Sequence, residues 1–98
     1  MTINKKLDGT KLYADVSGRI DTVTVTEAEK IIKDGLDSVT ELTLDFKNLD
    51  YISSAGLRLL LSLQKTMNAQ GSMKIKNVNE TVMEIFEVTG FSEILTIE

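Results

Sequence analysis

The sequence predicts an α/β domain: a mixed sheet of four to five strands with helices packed mainly on one side. Three observations lead there. Short runs such as Leu12-Tyr13-Ala14-Asp15-Val16 and Leu42-Thr43-Leu44-Asp45-Phe46 alternate apolar and polar residues, the period of two that a half-buried strand requires. Between such runs lie stretches with apolar residues three or four apart, the helical period. The two kinds of stretch interleave along 98 residues, a length that suits one domain, positions 1–98, with one sheet and one helical layer.

Taken in order, Thr2 to Lys6 and Lys11 to Ser17 read as two strands joined at Asp8-Gly9, a hairpin turn signal. Gly18-Arg19-Ile20-Asp21-Thr22 then leaves the sheet as a loop. Thr24-x-x-Glu27 and Thr26-x-x-Glu29 both fit the capping-box pattern, so a helix begins there. Ala28, Ile31, Ile32 and Leu36 give it one apolar stripe, with Gly35 near its end.

Glu41 to Phe46 is the third strand. It delivers the chain to the longest helix, which starts at Ser53-Ser54 and runs to Asn68-Ala69-Gln70. Leu57, Leu59, Leu60, Leu61, Leu63 and Met67 cover an arc of roughly 200° at 100° per residue. Such a helix is a central packing element. A serine at its start can accept from the free N–H groups of the first turn. Gly56 falls on the apolar side and costs about 0.5–1 kcal/mol against alanine inside a helix, so it implies close approach of the helix to the sheet.

Gly71 is expected to end this helix in the left-handed conformation. Ser72 to Val78 follows as a strand with Met73, Ile75 and Val78 inward. Asn79 caps a helix over Glu80 to Thr89 that Gly90 stops. Ile94 to Ile97 closes the domain as a last strand or an apolar strip. Met67, Met73 and Met83 read as core filler. Strand-helix-strand units predict parallel pairing in the second half.

Composition excludes whole classes of function. The net charge is −4, with 11 basic and 15 acidic residues and no basic cluster, so nucleic acid is not expected as a direct partner. Neither cysteine nor histidine occurs, which removes thiolate chemistry, the usual general base and the commonest metal ligands. A serine hydrolase built on Ser54 fails for the same reason. No Gly-rich phosphate loop is present, and no apolar run approaches the ~20 residues that span a bilayer. A non-enzymatic cytoplasmic protein is expected, without metal, cofactor or membrane contact.

Tyr51-Ile52-Ser53-Ser54-Ala55-Gly56-Leu57-Arg58 resembles the signature of the STAS domain, the fold of bacterial anti-sigma factor antagonists. The family's usual form is an apolar residue followed by Asp-Ser-Ser/Thr-Gly-Leu, its first serine being phosphorylated by a partner kinase. Matching Gly56-Leu57 places Ser54 on the phosphorylated serine, with Ser53 standing where the family has aspartate; Ser53 is the second choice. Gly18, Ile20 and Asp21 match the family's Gly-x-Leu-Asp element, a partner-binding loop, and Val88-Thr89-Gly90-Phe91 resembles its Thr-Gly-Leu stretch. The resemblance implies a partner-switching regulator of transcription. It would bind an anti-sigma factor or serine protein kinase when unmodified and let go when phosphorylated, and a serine phosphatase would reverse the mark. The partner surface would comprise Asp21, Ser53, Ser54, Ala55, Gly56 and Arg58. The alternative is an unphosphorylated STAS scaffold or ligand-sensing module. For Asp21, a plain turn or capping carboxylate is the competing reading.

Overall fold

Alternation in the first twenty residues builds a long hairpin. The structure, a computed structural model, describes residues 1–98. Strand β1 (Thr2–Asp8) pairs antiparallel with β2 (Lys11–Ile20), from Thr2 opposite Ser17 to Asp8 opposite Lys11. The other edge of β2 is used twice. Its first half pairs in parallel with β3 (Glu41–Asp45), and its end pairs in parallel with β4 (Leu49–Ile52). Strand β5 (Ser72–Lys76) then lies parallel to β3. The five-stranded mixed sheet runs β1-β2-β3-β5, with β4 beside the end of β2.

Three helices cover the apolar face: α1 (Val25–Lys33), α2 (Ser54–Gln70) and α3 (Glu80–Thr89). Leu12, Ala14 and Val16 of β2, Leu42 and Leu44 of β3, and Met73 and Ile75 of β5 point to them and are buried. From α2 come Leu57, Leu59, Leu60, Leu63 and Met67, and from α3 Val82 and Phe86. Each fully buried side chain of this size contributes about 1.5–3 kcal/mol relative to exposure. No helix is long and apolar enough to cross a membrane.

Several boundaries differ from the sequence reading. Gly18, Arg19 and Ile20 remain in β2 rather than forming a loop. The ladder shifts register between Gly18 and Arg19, where Gly18 has φ +92° and its N–H donates to the Asn48 carbonyl at 3.0 Å. Leu49–Ile52 forms a fourth strand that the pattern did not reveal. Helix α1 ends at Lys33; Leu36 is buried from a separate 3-10 turn, Leu36–Ser38. Neither capping box forms: the hydroxyl of Thr24, the N-cap of α1, makes no cap bond, and Thr26 lies inside the helix.

Gly71 is extended, with φ 169°, not left-handed. Its glycine requirement is steric: a Cβ there would sit 1.8 Å from the Thr40 carbonyl oxygen. Gly90 does stop α3 in the left-handed region, and the Asn79 side chain caps it, accepting from Val82 N–H at 2.9 Å while donating to the Leu49 carbonyl at 2.7 Å. The tail contributes a single parallel bridge, Ile97 to Ile75.

Long-range polar contacts tie these layers together. Lys5 Nζ donates to the Ile31 and Asp34 carbonyls at 2.6 and 2.9 Å, satisfying the C-terminal end of α1. On the open face of the sheet, Asp45 is buried and accepts from the Tyr13 hydroxyl, from Lys47 N–H at 3.0 Å and from Asn77 Nδ2 at 3.1 Å. Burial pushes the Asp45 carboxyl up, but these donors outweigh it and its pKa lies below the usual value. The hydrogen bond to Asp45 in turn pushes Tyr13 up to about 12.

Candidate functional site

The end of β2, the end of β4 and the start of α2 converge because Ser53 N–H donates to the Ile20 carbonyl at 2.9 Å. That bond continues the parallel pairing of Ile20 with Ile52 by one step. It places the turn after β2 directly beside the N-terminus of α2.

The two serines there are not equivalent. Ser53 is the N-cap, half-buried, with its hydroxyl accepting from Gly56 N–H at 3.4 Å. Ser54 is the first helical residue, is exposed, and makes no side-chain hydrogen bond. The cap bond therefore engages one hydroxyl and leaves its neighbour in solvent.

Gly56 sets the closeness of this arrangement. A Cβ on it would lie 2.5 Å from Ile52 Cγ1, 2.9 Å from Ile20 Cγ2 and 3.1 Å from the Ile20 carbonyl oxygen. The residue is buried, so it lies beneath the surface that Ser54 and Arg58 expose and acts by position. The close approach inferred from its place on the helix is present.

Asp21 folds the adjoining loop. One carboxylate oxygen accepts from Val23 N–H at 2.9 Å and Thr24 N–H at 3.1 Å. Thr24 Oγ1 accepts from Asp21 N–H at 3.0 Å and donates to the Arg19 carbonyl at 2.8 Å. The Thr24 N–H, then the other donors and the nearby Arg19 charge, hold the Asp21 carboxyl below its usual pKa. Asp21 is thus a turn carboxylate in this chain. Its consequence is a firm loop whose tip, Val23, is 86% exposed.

Arg19 is 3.6 Å from Asp21 and stacks its guanidinium 4.6 Å from the centre of the Tyr51 ring. This contact follows from the cross-strand pair Arg19–Tyr51. Sequence reading missed both residues, because the signal was a β4 strand that only its pairing reveals. Beside the serines, Val25, Thr26 and Glu29 of α1 face Ala55, Arg58 and Leu59 of α2 across a groove of about 170 Å³. Asp21, Ser53, Ser54, Ala55 and Arg58 all gather at this end of the molecule. A larger hollow of about 470 Å³ lies elsewhere, over the β2, β3 and β5 strands and the tail, lined by paired charges such as Lys11–Glu41 and Lys74–Glu98. No cluster of three or more carboxylates offers a metal site.

Residues 3–98 match the STAS domain family. The chain belongs to the STAS family. It is 33% identical over 94 residues to BtrV of Bordetella bronchiseptica, assigned as an anti-sigma factor antagonist, covering 94% of this chain and 80% of that one. Among solved structures, an anti-sigma factor antagonist from Mycobacterium paratuberculosis superposes with a TM-score of 0.88 at 21% identity, over 98% of this chain and 83% of that one. The antagonist SpoIIAA superposes in its unphosphorylated form at 0.83, with 19% identity over 99% and 88% of the two chains. Its phosphorylated Bacillus form superposes at 0.75, with 18% identity over 99% and 91%. These relatives are named as antagonists of other proteins, not as enzymes, and the STAS fold expected from the Tyr51–Arg58 stretch is the fold observed.

Proposed function

We propose that this chain is an anti-sigma factor antagonist that works by partner switching, with Ser54 as the switch. The observation that carries the reading is the division of labour at the head of α2: Ser53 caps the helix, and Ser54 presents a free hydroxyl. The partner is an anti-sigma factor with serine kinase activity. It docks on the face formed by Asp21, Ser53, Ser54, Ala55 and Arg58, with Gly56 beneath. Relatives bearing the antagonist name, and a relative solved with and without phosphate, support it.

The chain supplies only the acceptor oxygen. Ser54 Oγ attacks the γ-phosphorus of ATP held by the kinase with Mg²⁺; a new O–P bond forms, the β–γ bridging P–O bond breaks and ADP leaves. The hydroxyl proton passes to the kinase's own base. A serine phosphatase restores the hydroxyl. All of this takes place in the cytoplasm.

The test is phosphorylation by the source organism's anti-sigma-type serine kinases with Mg²⁺-ATP, the site being mapped by mass spectrometry. Ser54→Ala should abolish the mark, while Ser53→Ala should at most reduce it. Phosphate on Ser53 would move the switch by one residue. Tight binding with no phosphorylation at either serine would favour the unphosphorylated scaffold reading.

A further inference from the structure

Arg58 stands one helical turn after Ser54 and is exposed. It enters none of the chain's ion pairs, which join Lys11 to Glu41, Arg19 to Asp21, Lys33 to Glu29 and Lys74 to Glu98. Arg19, the other arginine at this end, is occupied by Asp21 and Tyr51. The acid across the groove, Glu29, is taken by Lys33 at 3.2 Å. The first turn of α2 carries no acidic residue. The unmodified face therefore presents one guanidinium with no partner in its own chain.

Helical side chains lean toward the N-terminus, so Arg58 reaches back over the turn that begins with Ser54. Residues four apart have Cβ atoms about 5–6 Å apart, and an anion preceding a cation by four is the favoured order. A guanidinium also matches phosphate oxygens in a two-point fork, which an ammonium cannot.

We infer that Arg58 is the intramolecular receptor for phosphate on Ser54, so that modification both adds an anion to the docking face and withdraws its free cation. This rests on the reading of Ser54 as the acceptor. In the unmodified chain the same guanidinium is available to a carboxylate of the partner. One event then reverses the charge complementarity of the face rather than merely crowding it.

Phosphoserine placed at position 54 during translation makes the test independent of any kinase. The second ionisation of the phosphate is followed by phosphorus NMR in the full chain, in Arg58→Gln and in Arg58→Lys. Glu29, Lys33, Asp21 and Arg19, the other charges placed at this end, are the same in all three. The wild-type phosphate should ionise lower than in Arg58→Gln by roughly 0.15–0.4 unit, the shift expected of an exposed pair four residues apart. Arg58→Lys should recover part of the shift, and 1 M salt should shrink it. Equal titration in wild type and Arg58→Gln overturns the inference. A kinase that marks another residue would overturn the Ser54 reading instead and leave the titration result standing.

Discussion

Replacing Gly56 by alanine sets two effects of known sign against each other. In an exposed helix interior the change stabilises by about 0.8–1 kcal/mol, from backbone entropy. Here the added Cβ would sit 2.5 Å from Ile52 Cγ1, 2.9 Å from Ile20 Cγ2 and 3.1 Å from the Ile20 carbonyl oxygen. The isoleucine methyls can adjust, but the carbonyl is backbone and is held by Ser53 N–H at 2.9 Å. Moving α2 away to relieve the contact lengthens that bond. Overpacking of this kind costs about 1–3 kcal/mol against a gain of about 0.8–1 kcal/mol, so the net effect is a loss of up to about 2 kcal/mol. For a domain of this size that lowers Tm by up to roughly 15 °C. Thermal melts followed by circular dichroism read it directly, and Gly56→Val should lose more. If Gly56→Ala melts at or above the wild-type temperature, helix propensity has won and the close approach is not what requires glycine.

The other predictions concern groups away from the serines. Gly71→Ala should destabilise more than Gly90→Ala, because its Cβ meets the Thr40 carbonyl while Gly90 has open space and only the left-handed backbone to strain, about 1–2 kcal/mol; equal losses in chemical denaturation would contradict the steric account. The carboxyl of Asp45 has a folded pKa below its unfolded value of about 3.9, so its contribution is present above pH 4 and lost as pH falls through the folded value. Tyr13→Phe removes one donor and should cost about 1 kcal/mol at neutral pH, the low side for a charged hydrogen bond because Tyr13 is 36% exposed. That cost should shrink below pH 4; a cost constant from pH 2 to 7 would refute the assignment. Gln64 is buried with its Oε1 unpartnered, and Nε2 bonds only Asn68 at 2.8 Å. Gln64→Met should therefore raise Tm by a few degrees, whereas a fall of 5 °C or more would mean the oxygen is satisfied in solution.

Local pattern was enough for the elements whose burial repeats. Alternation located β1, β2, β3 and β5, and the spacing of leucines located α2. It failed at Leu49–Ile52, where four residues with two exposed or half-buried members show no period and only pairing with β2 makes a strand. It also failed at the end of α1, since Leu36 keeps the stripe's spacing but is buried from a separate turn. Gly71 was legible as a necessary glycine for the wrong reason: a carbonyl 31 positions away, not a left-handed φ, excludes a side chain. The same limit hid the Lys5 contacts with α1 and the Tyr13–Asp45 bond, which join residues more than 25 apart. At the site, the pair Ser53-Ser54 and the packing role of Gly56 could be read from type and position. Which serine caps could not, because that depends on where Ile20 holds the Ser53 backbone.

On the proposed reading, a phosphate on Ser54 acts at a surface and not by unfolding. Ser54 lies at the start of α2, where free N–H groups favour an anion by about 0.3–1 kcal/mol, while a phosphate there would add about −1.5 to −2 charges to the proposed docking face. The direct measurement is a calorimetric titration of the anti-sigma partner with unmodified and Ser54-phosphorylated chain, beside thermal melts of both. Binding should weaken at least tenfold, about 1.4 kcal/mol, with Tm unchanged or slightly raised. Equal affinity for the two forms, or lost binding together with a melt lowered by many degrees, would contradict the account.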